Sequence, residues 1–132
     1  MKKQFDVLFY ETKDGKSNVK DFLDSLDIKE RARVLAQIAQ LKQEGPQLPR
    51  PYADILRDGI HELRVKMSGN QYRMLYFFCY ETYIVITHNF IKTTQRVPEE
   101  QVNMAIKCRE DFLRRNIKQK LDEEIKELKG KQ

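Results

Sequence analysis

The stretch IHELRVKMSGNQYRMLYFFCYETYIVITHNFIK, residues 60–92, decides the fold. It divides into three runs of β-branched, aromatic and alternating residues: IHELRVK (60–66), QYRMLYFFCY (71–80) and YIVITHNFIK (83–92). The connections, built on SGN and ET, are short enough for hairpins. Three consecutive antiparallel strands make a meander. Side chains alternate across a strand, so Glu62, Arg64 and Lys66 share one face. By the same rule Arg73 lies with Leu75 and Phe77, while Tyr72 lies with Met74, Tyr76 and Phe78. In the last run His88, Phe90 and Lys92 follow Ile84 and Ile86.

Upstream, QFDVLFY (4–10) alternates as a first strand. KDGK is a turn. Ser17 or Asn18 caps a helix with Val19, Phe22, Leu23 and Leu26 on one stripe. Asp27 and Glu30 form a capping box for a second helix, lined by Val34, Leu35, Ile38 and Leu41 and ended by Gly45-Pro46. The proline-rich segment 45–59 has no clean period and reads as an ordered loop. Downstream, Pro98, Glu99 and Glu100 start a final helix. Its apolar stripe continues through Ile117, Leu121, Ile125 and Leu128 to about Lys129. The expected fold is α+β in the order β-α-α-β-β-β-α. It has a four-stranded, mainly antiparallel sheet, an N-terminal helical hairpin on one face, a partly open second face and a long C-terminal helix. Residues 1–115 form the domain and 116–132 a charged amphipathic tail, which either frays or packs on the domain or on a partner.

The 132 residues are 40% apolar and 34% charged, enough for one domain with a real core. Net charge is +5. Residues 60–97 carry five Lys/Arg against two Asp/Glu, so much of the excess lies in the probable sheet. That favours an anionic partner such as nucleic acid. Cys79 and Cys108 read as buried free thiols. No signal segment follows Met1, and no apolar run approaches a membrane span, so the expectation is a soluble, cytosolic protein. The two His and two Cys lack metal-ligand spacing, and neither a P-loop nor a dinucleotide pattern occurs, so no metal or cofactor is expected.

Each polar residue of the strand block has two readings. Arg64 either pairs with Glu62 or Glu81 or binds an anion. Arg73 is a solvated edge charge or part of a site. His88 is a hydrogen-bonded core histidine or an acid–base group, and Lys92 a surface lysine or a functional one. The coincidence of Arg64, Arg73 and Lys92 on adjacent strands, with few acids nearby, favours a polyanion site, since arginine forks bind phosphate bidentately.

DGIHELRVK, YRMLYFF and IVITHNFIKTTQRVP, followed by a helix with AIKCREDF, resemble the RelE/ParE superfamily of toxins, specifically its phage-associated HigB-type branch. The resemblance covers about residues 4–115 and is most specific over 59–98. It implies a RelE-like fold and the toxin of a type II toxin–antitoxin system, a ribosome-dependent mRNA endonuclease. In that chemistry the 2′-hydroxyl attacks its own 3′ phosphodiester without a metal or cofactor. Carried over, Arg64 and Arg73 bind the scissile phosphate, Lys92 is base or charge stabiliser, and His88 is an acid–base candidate. Lys66, Tyr76, Thr93, Thr94, Gln95 and Arg96 are the RNA-contacting candidates. Thr93 stands where the family has a second lysine. The implied partners are a HigA-like helix-turn-helix antitoxin, the ribosome and mRNA, with operator DNA reached only through the antitoxin and no membrane. A non-enzymatic binding regulator and a gyrase-directed toxin are the alternatives on the same scaffold.

Overall fold

The elements start and stop where side chains can satisfy exposed backbone groups. A computed structural model describes residues 4–92 and 96–130. β1 (Asp6–Phe9) is followed by α1 (Asn18–Ser25), α2 (Ile28–Glu44) and a 3-10 turn (Gly45–Gln47). Then come β2 (Ala53–Ile55), β3 (His61–Met67), β4 (Asn70–Cys79) and β5 (Tyr83–Ile91), and finally α3 (Glu99–Arg115) and α4 (Lys118–Gly130). Ser17 caps α1, its hydroxyl accepting from the Lys20 amide. The Asp27–Glu30 capping box opens α2, with the Glu30 amide donating to Asp27 at 2.8 Å. Gly45 ends α2 at φ +57°, and the Phe5 ring lies where a Cβ would stand.

The sheet is not the four-stranded, mainly antiparallel one expected from sequence. It has five strands in the order β1-β5-β4-β3-β2, with β1 parallel to β5 and the other pairs antiparallel. The added strand, β2, sits inside the segment read as a loop. Three residues are too few for alternation to register, yet Ala53, Asp54 and Ile55 find partners in Leu63, Glu62 and His61 on the open edge of β3. β1 and β5 run parallel because the helical hairpin and three strands separate them in the chain, so no tight turn imposes the antiparallel sense.

The sheet divides the core in two. Val19, Val34, Ile38, Leu41, Leu63, Met74, Tyr76, Ile84 and Ile86 fill the layer under α1 and α2. Leu75, Phe77, Tyr83, Val85, Val102, Ala105, Phe112 and Leu121 fill the layer under α3 and α4. A bulge sets which β5 residues belong to which layer. Leu75 pairs with His88 but Tyr76 with Ile86, so Thr87 is the extra residue. It reverses the alternation, and Phe90 joins the α3 layer while Ile84 and Ile86 face α2.

The final helix is also not continuous. Asn116 leaves helical geometry at φ −127°, ψ 92°, and its carbonyl accepts from the Tyr80 hydroxyl at 2.7 Å. The break lets α4 fold back. Leu121 is buried and Ile125 half-buried in the α3 layer, while Ile117 and Leu128 stay exposed. The Tyr83 hydroxyl donates to Asp122 at 2.5 Å, and Lys129 lies 2.9 Å from Asp6. The tail thus packs on its own domain.

Two substitution pairs test this packing. Gly45→Ala faces both an unfavourable φ and the Phe5 ring and should cost at least about 1–3 kcal/mol. Gly69→Ala has the same sign of φ but open space around it, and should cost only about 1–2 kcal/mol. Leu121→Ala should cost roughly 2–5 kcal/mol, and Leu128→Ala within about 0.5 kcal/mol of nothing. Urea midpoints at constant slope read all four. Equal costs for Leu121 and Leu128 would mean that α4 does not dock as described.

Candidate nucleic-acid interface

Toward β3, the sheet face that carries α3 over β4 and β5 becomes polar. Arg64 and Arg73 are cross-strand partners, as are Glu62 and Leu75, so the two arginines and Glu62 emerge on one face. Like charges directly opposite each other in an antiparallel pair repel, and here one carboxylate resolves the conflict. Glu62 Oε1 accepts from Arg64 Nη2 at 2.7 Å and from Arg64 Nε at 2.9 Å, and lies 3.2 Å from Arg73 Nη1. The Arg73 contact is an ion pair without hydrogen-bond alignment: among the described residues, the buried Arg73 Nη1 and Nε and Glu62 Oε2 have no hydrogen-bond partner. Arg73 Nη2 donates to Gln71 Oε1 at 2.8 Å. Asp54 of β2 takes a second contact from Arg64 at 3.2 Å. Burial of Asp54 favours its neutral form, but hydrogen bonds from Arg50 and the Ile55 amide and the charges of Arg50 and Arg64 outweigh that, holding its pKa below the ordinary value.

The two arginines are not equally accessible. The Arg73 side chain is 2% exposed and that of Arg64 27%. Arg73 therefore forms the floor of the site and Arg64 its wall. Lys92 stands beside them, its amide extending the sheet by donating to the Gln71 carbonyl at 2.8 Å. Burial, then the charges of Arg73 and Arg64, push the Lys92 pKa below the usual lysine value, with Glu62 opposing.

These groups open into one cleft of about 1080 Å³. Among the described residues it is lined by the cations Arg33, Arg64, Lys66, Arg73 and Lys92, together with Gln37, Pro51, Tyr52, Val65, Gly69, Asn70 and Gln71, and by no acid. Arg33 of α2 donates through Nε to the Lys66 carbonyl. The arrangement can bind a phosphodiester with guanidinium and ammonium groups on several sides, over a buried guanidinium that adds positive potential from beneath.

The structure brings together Arg64, Arg73, Lys92 and Lys66 from the sequence-derived set. His88 is elsewhere. It is buried in the α3 layer, with Nδ1 2.9 Å from Thr87 Oγ1 and Nε2 2.8 Å from Gln101 Oε1, its ring stacked on Phe90. Burial lowers its pKa. These are the contacts of the core-histidine reading, and the Thr87 bulge is why it turns that way. Tyr76 is 1% exposed, stacked on His61 in the layer under α2. Arg96 is exposed ahead of α3 and does not line the cleft. Thr93, Thr94 and Gln95 lie outside the described residues. Sequence reasoning missed Arg33, Gln37 and Tyr52, which come from α2 and the proline-rich segment. Their only sequence signal is that they are polar or aromatic positions off the core stripes.

A model of the phage-derived Gp49-like protein family (DUF891) matches residues 21–110, which contain every cleft residue. That family is one of RelE/HigB-like toxins, of the kind that act in toxin–antitoxin pairs, so an antitoxin partner is implied. A search of curated proteins returns no match. No helix among the described residues is long and apolar enough to cross a membrane.

Removing the charge of Glu62 tests the cluster. Glu62→Gln leaves two buried or half-buried guanidinium groups without their shared counter-ion and should destabilise by about 3–5 kcal/mol. The double variant Glu62→Leu, Arg73→Met removes the pair together and should regain most of that stability in urea unfolding. A Glu62→Gln protein as stable as the parent would show that the carboxylate does not hold the arginines.

Proposed function

We propose that this chain, which belongs to the phage-derived Gp49-like family, is a HigB-type toxin that inhibits translation by cutting mRNA on the ribosome. The observation that carries this reading is the convergence of Arg64, Arg73 and Lys92 in a cleft whose described lining holds no acid, with Glu62 and Asp54 gripping the arginines from behind. Phosphodiester cleavage by the neighbouring 2′-hydroxyl needs a base, a cationic environment for the phosphorane and a proton for the leaving oxygen.

Lys92 is the base. Its lowered pKa enlarges the neutral fraction at working pH, and it sits where the arginine charges keep it so. Lys92 Nζ takes the 2′-hydroxyl proton, the 2′-oxygen attacks phosphorus, and the P–O5′ bond breaks. Arg64 binds a non-bridging oxygen directly, while Arg73 supplies positive potential from beneath. The leaving 5′-oxygen is protonated from water in the open cleft, since His88 is sealed away. The products are a 2′,3′-cyclic phosphate and a 5′-hydroxyl. The base role rests on Lys92 alone, because the second family lysine is Thr93. A HigA-like helix-turn-helix antitoxin silences the protein by occupying the cleft or blocking access to the ribosome, and the site of action is the cytoplasm, where ribosomes are.

Brief induction followed by mapping of mRNA 5′ ends tests the function. Discrete cuts within translated codons should appear, and Arg64→Ala should reduce them by roughly 100- to 1000-fold. Intact mRNA during growth arrest would contradict the reading, and accompanying DNA damage would point to gyrase.

The pH profile tests the base. Activity should rise with pH to a plateau at the Lys92 pKa, below the ordinary lysine value. Arg64→Gln removes one of the charges lowering that pKa, so the limb should move to higher pH. A rate that falls as pH rises through this range would make Lys92 a charge stabiliser instead.

A further inference from the structure

Tyr52 is an aromatic residue on the wall of a cationic cleft, and the chemistry described so far leaves it unused. Its residue is 42% exposed. It makes no ring contact with another aromatic among the described residues. Core packing therefore does not explain a large apolar group here. Its position is nonetheless fixed. The Tyr52 amide donates to the Pro49 carbonyl at 3.0 Å, and its carbonyl accepts from the Arg64 amide at 2.8 Å. Its backbone is one hydrogen bond from that of the residue that binds the phosphate, so the sheet holds the root of the ring beside Arg64.

The cleft is also larger than a phosphate requires, at about 1080 Å³, and its lining includes Pro51 and Tyr52 and, from α2, Gln37 and Arg33. Arg33 makes no ion pair among the described residues; its Nε is bound to the Lys66 carbonyl. Gln37 Nε2 donates to Gln40 Oε1 at 3.2 Å, and its side-chain oxygen accepts no hydrogen bond among the described residues. An exposed aromatic face beside amide and guanidinium groups is the equipment with which proteins hold an unpaired base, stacking on its π-face and bonding its edge.

We propose that Tyr52 forms a nucleobase subsite that stacks a base of single-stranded RNA next to the scissile phosphate, within reach of the Gln37 and Arg33 part of the same cleft. This rests on the RNA-cleaving reading above. The subsite fixes which phosphate sits over Arg73, and the Gln37 and Arg33 edges give it a base preference.

The test is binding of a 2′-O-methylated trinucleotide, which cannot be cut, and of its fully abasic counterpart, to the intact protein at low salt. The trinucleotide carries 2-aminopurine, whose fluorescence is quenched on stacking. Tyr52→Ala should weaken trinucleotide binding about tenfold or more and abolish the quenching. Tyr52→Phe should retain both. Abasic binding, which reads the phosphates alone, should be the same in all three proteins. Equal trinucleotide affinity in Tyr52→Ala, or equal weakening toward the abasic chain, would overturn the subsite and leave the phosphate site standing. If the parent protein bound neither oligonucleotide, the RNA reading and the subsite would fall together.

Discussion

Two guanidinium groups share one carboxylate oxygen at the heart of this protein, and the rest of the cleft depends on that arrangement. Arg64 and Arg73 are placed directly opposite each other by the β3–β4 register, which without Glu62 would be repulsive. Glu62, 4% exposed, makes the register tolerable. Glu62 and Asp54 together offset the two arginines, and Lys92 beside them keeps the cluster net positive. Desolvating charges costs several kcal/mol each, and a domain of this size has only about 5–15 kcal/mol of net stability. The molecule therefore carries a costly cluster. The residual positive charge, with Arg64 at the surface and Arg73 buried beneath it, is what an incoming phosphate would use.

The surrounding elements serve that cluster. β2 covers the edge of β3 and brings Asp54 to the outer side of Arg64, orienting the guanidinium without filling the cleft. The β4–β5 ladder, extended by the Lys92 amide, keeps the lysine next to both arginines. α3 covers β4 and β5, and the acid-free surface begins beyond it. The Thr87 bulge turns His88 into the α3 layer, where Thr87 and Gln101 satisfy it. Cationic groups thus remain the solvent-facing chemistry, with histidine removed from it.

Much of this was legible in the sequence, and the failures have physical reasons. The three long strands, the capping box and the shared face of Glu62, Arg64 and Lys66 follow from alternation and cap chemistry, which are local. The five-stranded mixed sheet was not legible. β2 is three residues held by the edge of β3, and the β1–β5 pairing is a contact between distant segments. One extra residue in β5 inverts every face assignment after it, and nothing in ITHNF marks which residue is extra. Of the C-terminal stripe only Leu121 and Ile125 pack on the domain; Asn116 breaks the helix, and a stripe with period 3.6 looks the same on one helix or two. Arg64, Arg73 and Lys92 could be named because their types and adjacency are local. Arg33, Gln37 and Tyr52 reach the cleft only through tertiary packing.

The central claim is that this cationic cluster drives attack by the 2′-hydroxyl, and the chemistry of the cut ends reads it most directly. Purified protein would be given ribosomes programmed with a defined mRNA, and the termini of the fragments distinguished by their response to kinase and phosphatase. The account predicts a 2′,3′-cyclic phosphate upstream and a free 5′-hydroxyl downstream. A 3′-hydroxyl with a 5′-phosphate would mean that water, and not the ribose, attacks phosphorus, and would contradict it.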